Sequence, residues 1–188
     1  MLTEFAREIL LRPRRVLAGV LALPLGPGAR WQAFAAVVLV STLVSWLFLM
    51  AVDRDGSLAM VMPSPVTLAI ANAVLLLGIA LAVHLLGRGL GGRGAFGDSL
   101  LAMTLLQAVM LAVQALQMVV LLLSGLLAEI LGLASILLLI WLLANFVMEV
   151  HGFRSLVRVA LGIIGAIVGL SMIFSFLLVL AGISGQGV

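Results

Sequence analysis

Cysteine is missing from this sequence, and so is lysine. Without cysteine the chain has no disulfide bond and no thiolate that could act as a nucleophile or metal ligand. The sequence therefore does not indicate whether the protein lies in an oxidising or a reducing compartment. All ten basic residues are arginines, which we interpret as the codon usage of a GC-rich bacterial genome. Charge is scarce as well: 9% of the residues are charged, against about a quarter in a soluble domain.

The sequence is correspondingly rich in apolar residues. They make up 65% of the 188 residues, and a core of this size cannot hide so many of them from water. The composition therefore predicts an integral membrane protein.

Five apolar runs are long enough for spanning helices, which need about twenty residues. The first two are residues 33–52 and 66–87, and Asp98-Ser99 offers an N-cap for the third. The third and fourth share one apolar stretch that breaks only within 124–129, and the fifth runs from about 155 to 182. We predict an all-α, polytopic membrane protein with five transmembrane helices.

The distribution of arginine along the chain predicts the orientation of the protein in the membrane. With the N terminus inside, nine of the ten arginines fall in cytoplasmic segments and Arg54 alone falls outside. Because cytoplasmic segments carry the excess of basic residues, we predict an N-inside, C-outside topology in a bacterial inner membrane.

Residues 1–30 form a separate segment ahead of a transmembrane domain, 31–188. Apolar and charged residues lie on opposite faces of its helical wheel, which is typical of an amphipathic helix in the headgroup layer, interrupted at Pro13. The alternative is a helix packed against the end of the bundle. Four arginines on the charged face are expected to attract anionic lipid: Arg7, Arg12, Arg14 and Arg15.

Three stretches resemble bacterial Yip-one-domain proteins: "LLRPRRVLAGVLALP…ARWQAFAAVVLV", the loop "GGRGAFGDSLLAM", and "WLLANFVMEVHGFRSLVRVAL" before the last span. The resemblance implies five spans and a cytoplasmic N terminus. Eukaryotic members act in vesicle traffic and membrane shaping through Ypt/Rab GTPases and partner membrane proteins. Bacteria lack Rab proteins, so the resemblance implies a fold more than a role.

Charged residues reappear abruptly after the fourth apolar run. We predict that they form a cytoplasmic elbow between the last two spans, where Gly152 lets the chain reverse. An arginine is expected to hold Glu149, and His151 to face headgroups or the N-terminal helix. The elbow consists of Glu149, His151, Gly152, Arg154 and Arg158.

A metal site is the alternative interpretation of this region. His84, Asp98, Glu149 and His151 all lie toward the cytoplasmic side, and imidazoles with carboxylates suit transition metals. However, these residues lack a ligand spacing such as HxxxH. We therefore expect no metal and no cofactor.

Neither of two sequence patterns that resemble enzyme motifs predicts a catalytic site. A GxGxxG pattern at 89–94 follows a membrane helix instead of a strand. A GISG pattern at 182–185 lies about a 30 Å bilayer away from both histidines in the predicted topology, and a serine needs its base within hydrogen-bond reach. We expect no enzymatic activity.

Amide side chains occur at membrane depth in three of the spans. They should point inward, because an amide is costly in lipid. They either line a polar path for a solute or join helices through hydrogen bonds, and we favour the bonds because no charge accompanies them. These residues are Asn72, Gln107, Gln114, Gln117 and Asn145.

The fifth span carries a small-residue face, which packs against the bundle or against a second copy of the chain. It consists of Gly162, Gly165 and Gly169. Taken together, the sequence predicts a non-catalytic scaffold, partner-binding subunit or membrane-organising factor. Its expected partners are anionic lipids and other membrane proteins or itself, without nucleic acid. The alternative function is a small transporter or channel with a Gln/Asn-lined path.

The arginine distribution generates a topology prediction. A reporter fused after Val188 should be active outside the cell, and one inserted at 91–94 should be active in the cytoplasm. A cytoplasmic signal from the C-terminal fusion would mean an even number of spans and would contradict the break at 124–129.

Overall fold

A computed structural model of the chain describes residues 2–52 and 63–180. These residues form seven α-helices and no strand, so the predicted all-α class is confirmed for this part of the chain. The helices are α1 (Leu2–Leu11), α2 (Pro13–Leu21), α3 (Pro27–Val52), α4 (Pro65–Gly89), α5 (Phe96–Leu123), α6 (Gly125–His151) and α7 (Leu156–Leu180).

Four helices among the described residues, α3 to α6, are long and apolar enough to cross a membrane. Helix α7 is apolar over Leu156–Gly165, and a fifth span there stays a prediction. The loop with Arg54 and the segment with the GISG pattern both lie outside the described residues.

The long apolar stretch does hold two helices, as predicted. Ser124 alone separates α5 from α6, and its side-chain oxygen accepts a hydrogen bond from the Leu127 amide, a typical N-cap. The predicted cap of α5 at Asp98-Ser99 is wrong, because the helix begins at Phe96. Asp98 lies in its first turn, where a carboxylate favours the positive end of the helix dipole.

Helix α5 is the centre of the bundle, since it contacts α2, α3, α4 and α6. Its buried residues are concentrated near its beginning, from Ser99 to Leu106, and those of α6 near its end, from Leu142 to His151. We call this the glycine-loop end of the bundle. It carries loop 90–95 between α4 and α5 and loop 152–155 between α6 and α7.

The N-terminal segment breaks before Pro13, as predicted, and forms two helices. Helix α2 packs against α5 and α6, and Leu17 is completely buried there. The structure thus shows α2 against the end of the bundle, which is the alternative that the sequence left open. The interfacial position of the segment, and its separation from domain 31–188, stay predictions.

Two amides join helices through side-chain hydroxyls of α3. Asn72 on α4 donates to Ser41 at 2.7 Å, and Gln114 on α5 donates to Ser45 at 3.2 Å. Asn145 instead donates to the Trp141 carbonyl oxygen within its own helix.

The other predicted intramembrane residues make looser contacts. The Gln117 amide lies beside Gly132 of α6, and Gln107 lines an apolar crevice described below. A Cβ added at any glycine of the predicted packing face would meet no atom of the described chain within 4 Å. Gly162, Gly165 and Gly169 therefore do not bring described helices into close contact, and packing against a second copy stays a prediction.

The bond between Gln114 and Ser45 can be measured with a double-mutant cycle. Gln114→Leu should lower the free energy of unfolding in detergent by about 1 kcal/mol, the usual size of an interhelical hydrogen bond in membranes. In a Ser45→Ala background the same change should cost much less, because the partner is already gone. Unchanged stability together with loss of a solute flux would contradict this role and favour a polar path.

Candidate functional site

Both α4 and α6 end at the glycine-loop end with a glycine in the left-handed region. Gly91 has φ 86° and Gly152 has φ 72°, values that favour a residue without Cβ. The Gly92 amide donates to the carbonyl oxygen of Gly87, and the Phe153 amide donates to that of Met148. Each helix thus turns sharply where it ends, and the two turns lie side by side.

The two turns are joined through His151. The Arg93 amide donates to the His151 carbonyl oxygen at 3.3 Å, and the His151 side chain is only 3% exposed. A Cβ at Gly92 would lie 2.6 Å from the His151 Cβ, one at Gly94 would lie 2.9 Å from Cε1, and one at Gly87 would overlap the imidazole. The ring occupies the space that three glycines leave empty, and we call them the glycine cradle (Gly87, Gly92 and Gly94).

The expectation that His151 faces headgroups or the N-terminal helix is therefore wrong. The physical reason is that loop 90–95 can approach the end of α6 closely where it has no side chains. Phe153 stacks on the imidazole with ring centres 5.7 Å apart and planes inclined by 30°. His151 is part of the packing between the turns.

The second histidine lies close enough to His151 to interact with it electrostatically, and its ring meets Phe96 edge-on at 5.8 Å. Within the described ranges, His84 Nδ1 and both ring nitrogens of His151 lack a hydrogen bond of good geometry, although the Val83 carbonyl oxygen lies near His151. Buried nitrogen atoms without a hydrogen bond are unusual in proteins.

The described residues do not assemble the metal set that the sequence left as an alternative. No three histidine or carboxylate side chains in 2–52 and 63–180 lie close enough together to hold an ion. Glu149 is paired with Arg14, and Asp98 is paired with Arg30. A metal at the histidines would lack a carboxylate ligand from this part of the chain.

Two ion pairs connect the N-terminal part of the chain to the bundle. Arg14 Nε of α2 lies 3.0 Å from Glu149 Oε2 of α6, so the arginine that holds Glu149 comes from the N-terminal segment. Arg30 Nη1 of α3 lies 2.8 Å from Asp98 Oδ1 of α5, and its guanidinium passes over Gly97, where a Cβ would be 2.7 Å away. Partly exposed pairs contribute about 0–1 kcal/mol each, so they orient the segment more than they stabilise it.

The remaining arginines of the predicted elbow stay at the surface. Arg154 and Arg158 are exposed, and in the described part of the chain neither has an acidic partner. Among the arginines predicted to face lipid, Arg7, Arg12 and Arg15 are also exposed, while Arg14 forms the ion pair above.

Sequence reasoning missed the glycine cradle, although a signal was present. Six of the eleven residues from 87 to 97 are glycine. We interpreted part of this run as a misleading dinucleotide pattern and part as a loop that carries the family resemblance. A run of glycines directly after a spanning helix, in a chain with a histidine at the end of another span, would have indicated a close backbone approach.

The cradle can be tested with an alanine that fills it. Gly87→Ala should cost about 1–3 kcal/mol of stability through overpacking, because the added methyl meets the imidazole. The same change in a His151→Ala background should cost nothing, since the obstructing ring is gone. Gly89→Ala is the matched control, because a Cβ there meets no atom within 4 Å. Equal effects of both alanines on the melting temperature in detergent would contradict the cradle.

Comparison with known proteins identifies the family of this chain. No curated protein and no solved structure matches the sequence significantly. The family model for the Yip1 domain matches residues 7–182, a range that includes α2 to α7, both turns of the glycine-loop end and the two histidines. Because this match covers nearly the whole sequence, the chain belongs to the Yip1 domain family.

Proposed function

We propose that this membrane protein is a non-catalytic scaffold or partner-binding subunit of a bacterial inner membrane. In this proposal α7 is the fifth span, the glycine-loop end faces the cytoplasm and the C terminus lies outside. Four spanning helices, the family match and the arginine distribution support this arrangement.

The observation that carries the proposal is the packing of the N-terminal helices on the glycine-loop end. Leu17 and Ile9 are buried, and the Arg14–Glu149 ion pair fixes the direction of α2 on α6. Helix α1 contacts α2 and exposes Arg7 and Glu8. The bundle thus presents an ordered helical surface of mixed charge, which is the kind of surface that steers a protein partner.

The intramembrane amides favour this function over the transporter alternative. Asn72 and Gln114 direct their amide groups to hydroxyls of α3, so they act between helices. A path for a solute would instead require polar groups that face a common passage. We therefore assign these two residues to the stability of the bundle.

The test is quantitative co-purification from native membranes in mild detergent, with mass spectrometry of the bound proteins. Reversing two exposed charges of the N-terminal helices, Arg7→Glu with Arg15→Glu, should reduce recovery of a specific partner about ten-fold or more. The matched control is Glu129→Gln, an exposed residue near the beginning of α6 at the other end of the bundle. Its recovery should equal that of the wild type.

Both proteins should keep the wild-type melting temperature. A partner that both variants retain equally would contradict binding through α1 and α2. Solute uptake by liposomes containing the purified chain, without any stoichiometric partner, would favour the transporter alternative.

A further inference from the structure

An apolar crevice lies between α4, α5, α6 and α7. Its volume is about 390 Å³, within the range of small-molecule sites. Leucine, isoleucine and valine side chains form most of its walls, and Gln107 is the only amide among the described residues that line it. Such a lining fits a hydrocarbon group and gives a polar solute few hydrogen bonds.

The crevice is somewhat deeper than one leaflet. Along α4 and its C-cap its lining extends from Leu76 to Leu90, about 21 Å at 1.5 Å per residue. Half of a bilayer core is about 15 Å thick. Leu90 and Phe153 place its upper part at the glycine-loop end, so the crevice begins where the helices end and reaches past the middle of a membrane core.

The crevice opens between α4 and α7. Helix α7 packs on α6 but has no substantial contact with α4 among the described residues. Ile79 and Leu86 line the crevice and are nevertheless 39% and 49% exposed. Gly162 of α7 also lines it, and a Cβ there would meet no atom within 4 Å. An occupant can therefore enter sideways from the lipid.

Three arginines neighbour crevice-lining residues in the sequence at the glycine-loop end, which we call the mouth of the crevice. Arg88 follows the lining residue Gly87, Arg154 follows Phe153, and Arg158 precedes Val159. All three arginines are exposed, and within the described residues none has an acidic partner. The carboxylates that α5 and α6 place at this end are already paired with Arg30 and Arg14, so the charge at the mouth is not neutralised.

We propose that this crevice binds one acyl chain of an anionic phospholipid, whose phosphate headgroup is held by Arg88, Arg154 and Arg158. Arginine presents several donors to a phosphate in a fixed geometry. A helix from a second copy is too large, because a cylinder about 10 Å wide and 21 Å long fills roughly 1,600 Å³. A single acyl chain is the occupant that matches the size, lining and charge of the site.

The experiment is native mass spectrometry of the full chain after removal of lipid in mild detergent. Palmitoyl-oleoyl phosphatidylglycerol and phosphatidylcholine are then added separately, so that the acyl chains are the same and only the headgroup charge differs. One phosphatidylglycerol per chain should stay bound at a concentration at which phosphatidylcholine is lost.

Variants of the crevice separate this site from lipid that covers the whole surface. Gly162→Phe should fill the crevice and weaken phosphatidylglycerol binding at least ten-fold. Gly78→Phe is its matched control, since Gly78 is an exposed α4 glycine with no atom within 4 Å of a Cβ, and binding should not change. Gly162→Leu repeats the test with a smaller side chain if the phenylalanine variant does not fold.

Variants of the mouth test the headgroup contact. Arg88→Gln and Arg158→Gln should each weaken phosphatidylglycerol binding about five-fold, which corresponds to about 1 kcal/mol per basic residue. They should leave phosphatidylcholine unaffected. Glu129→Gln, at the other end of the bundle, should bind both lipids like the wild type.

Two results would overturn the proposal. One is equal binding by the Gly162 and Gly78 variants, which would place the lipid outside the crevice. The other is equal affinity for the two lipids with no effect of the arginine variants, which would remove the headgroup contact. Neither result depends on whether a protein partner binds at α1 and α2.

Discussion

The close approach of loop 90–95 to the end of α6 is the contact on which the glycine-loop end depends. Glycine permits it, because a Cβ at Gly87, Gly92 or Gly94 would collide with His151 or its neighbours. The Arg93 amide then reaches the His151 carbonyl oxygen, and the last turns of α4 and α6 are held together. Protein interiors are close-packed and resist extra atoms, so this contact fixes the relative position of the two helices more firmly than a flexible salt bridge does.

The turn at the end of α6 has an ion pair on one side and an apolar crevice on the other. On one side Glu149 is directed toward Arg14 of α2, and α2 packs against α5 and α6. On the other side Gly152 and Phe153 start the connection to α7, which leaves a gap toward α4. The proposed partner surface and the proposed lipid site are therefore separate surfaces that share one structural support.

Within the bundle, polar groups are placed where neighbouring helices can satisfy them. The hydrocarbon core of a bilayer offers no hydrogen bonds, so Asn72 and Gln114 donate to Ser41 and Ser45 of α3. Individually these bonds are modest. Their effect on the structure is to specify which helices lie beside α3. A uniformly apolar helix surface does not specify its neighbour, because it packs equally well against lipid and against another helix.

Composition and apolar run length by themselves determined that the chain is helical and membrane-embedded, and located the break at Ser124. These features follow from the bilayer, which requires about twenty apolar residues per span whatever the neighbours are. The partner of Glu149, the burial of His151 and the apolar crevice were decided only by the tertiary structure. Each depends on which helix ends meet, and Arg14 lies 135 residues from Glu149 along the chain. The periodicity of apolar residues indicates which face of a helix is buried but not which helix packs against that face. Contacts between residues so far apart in the sequence are therefore known only once the helices are packed.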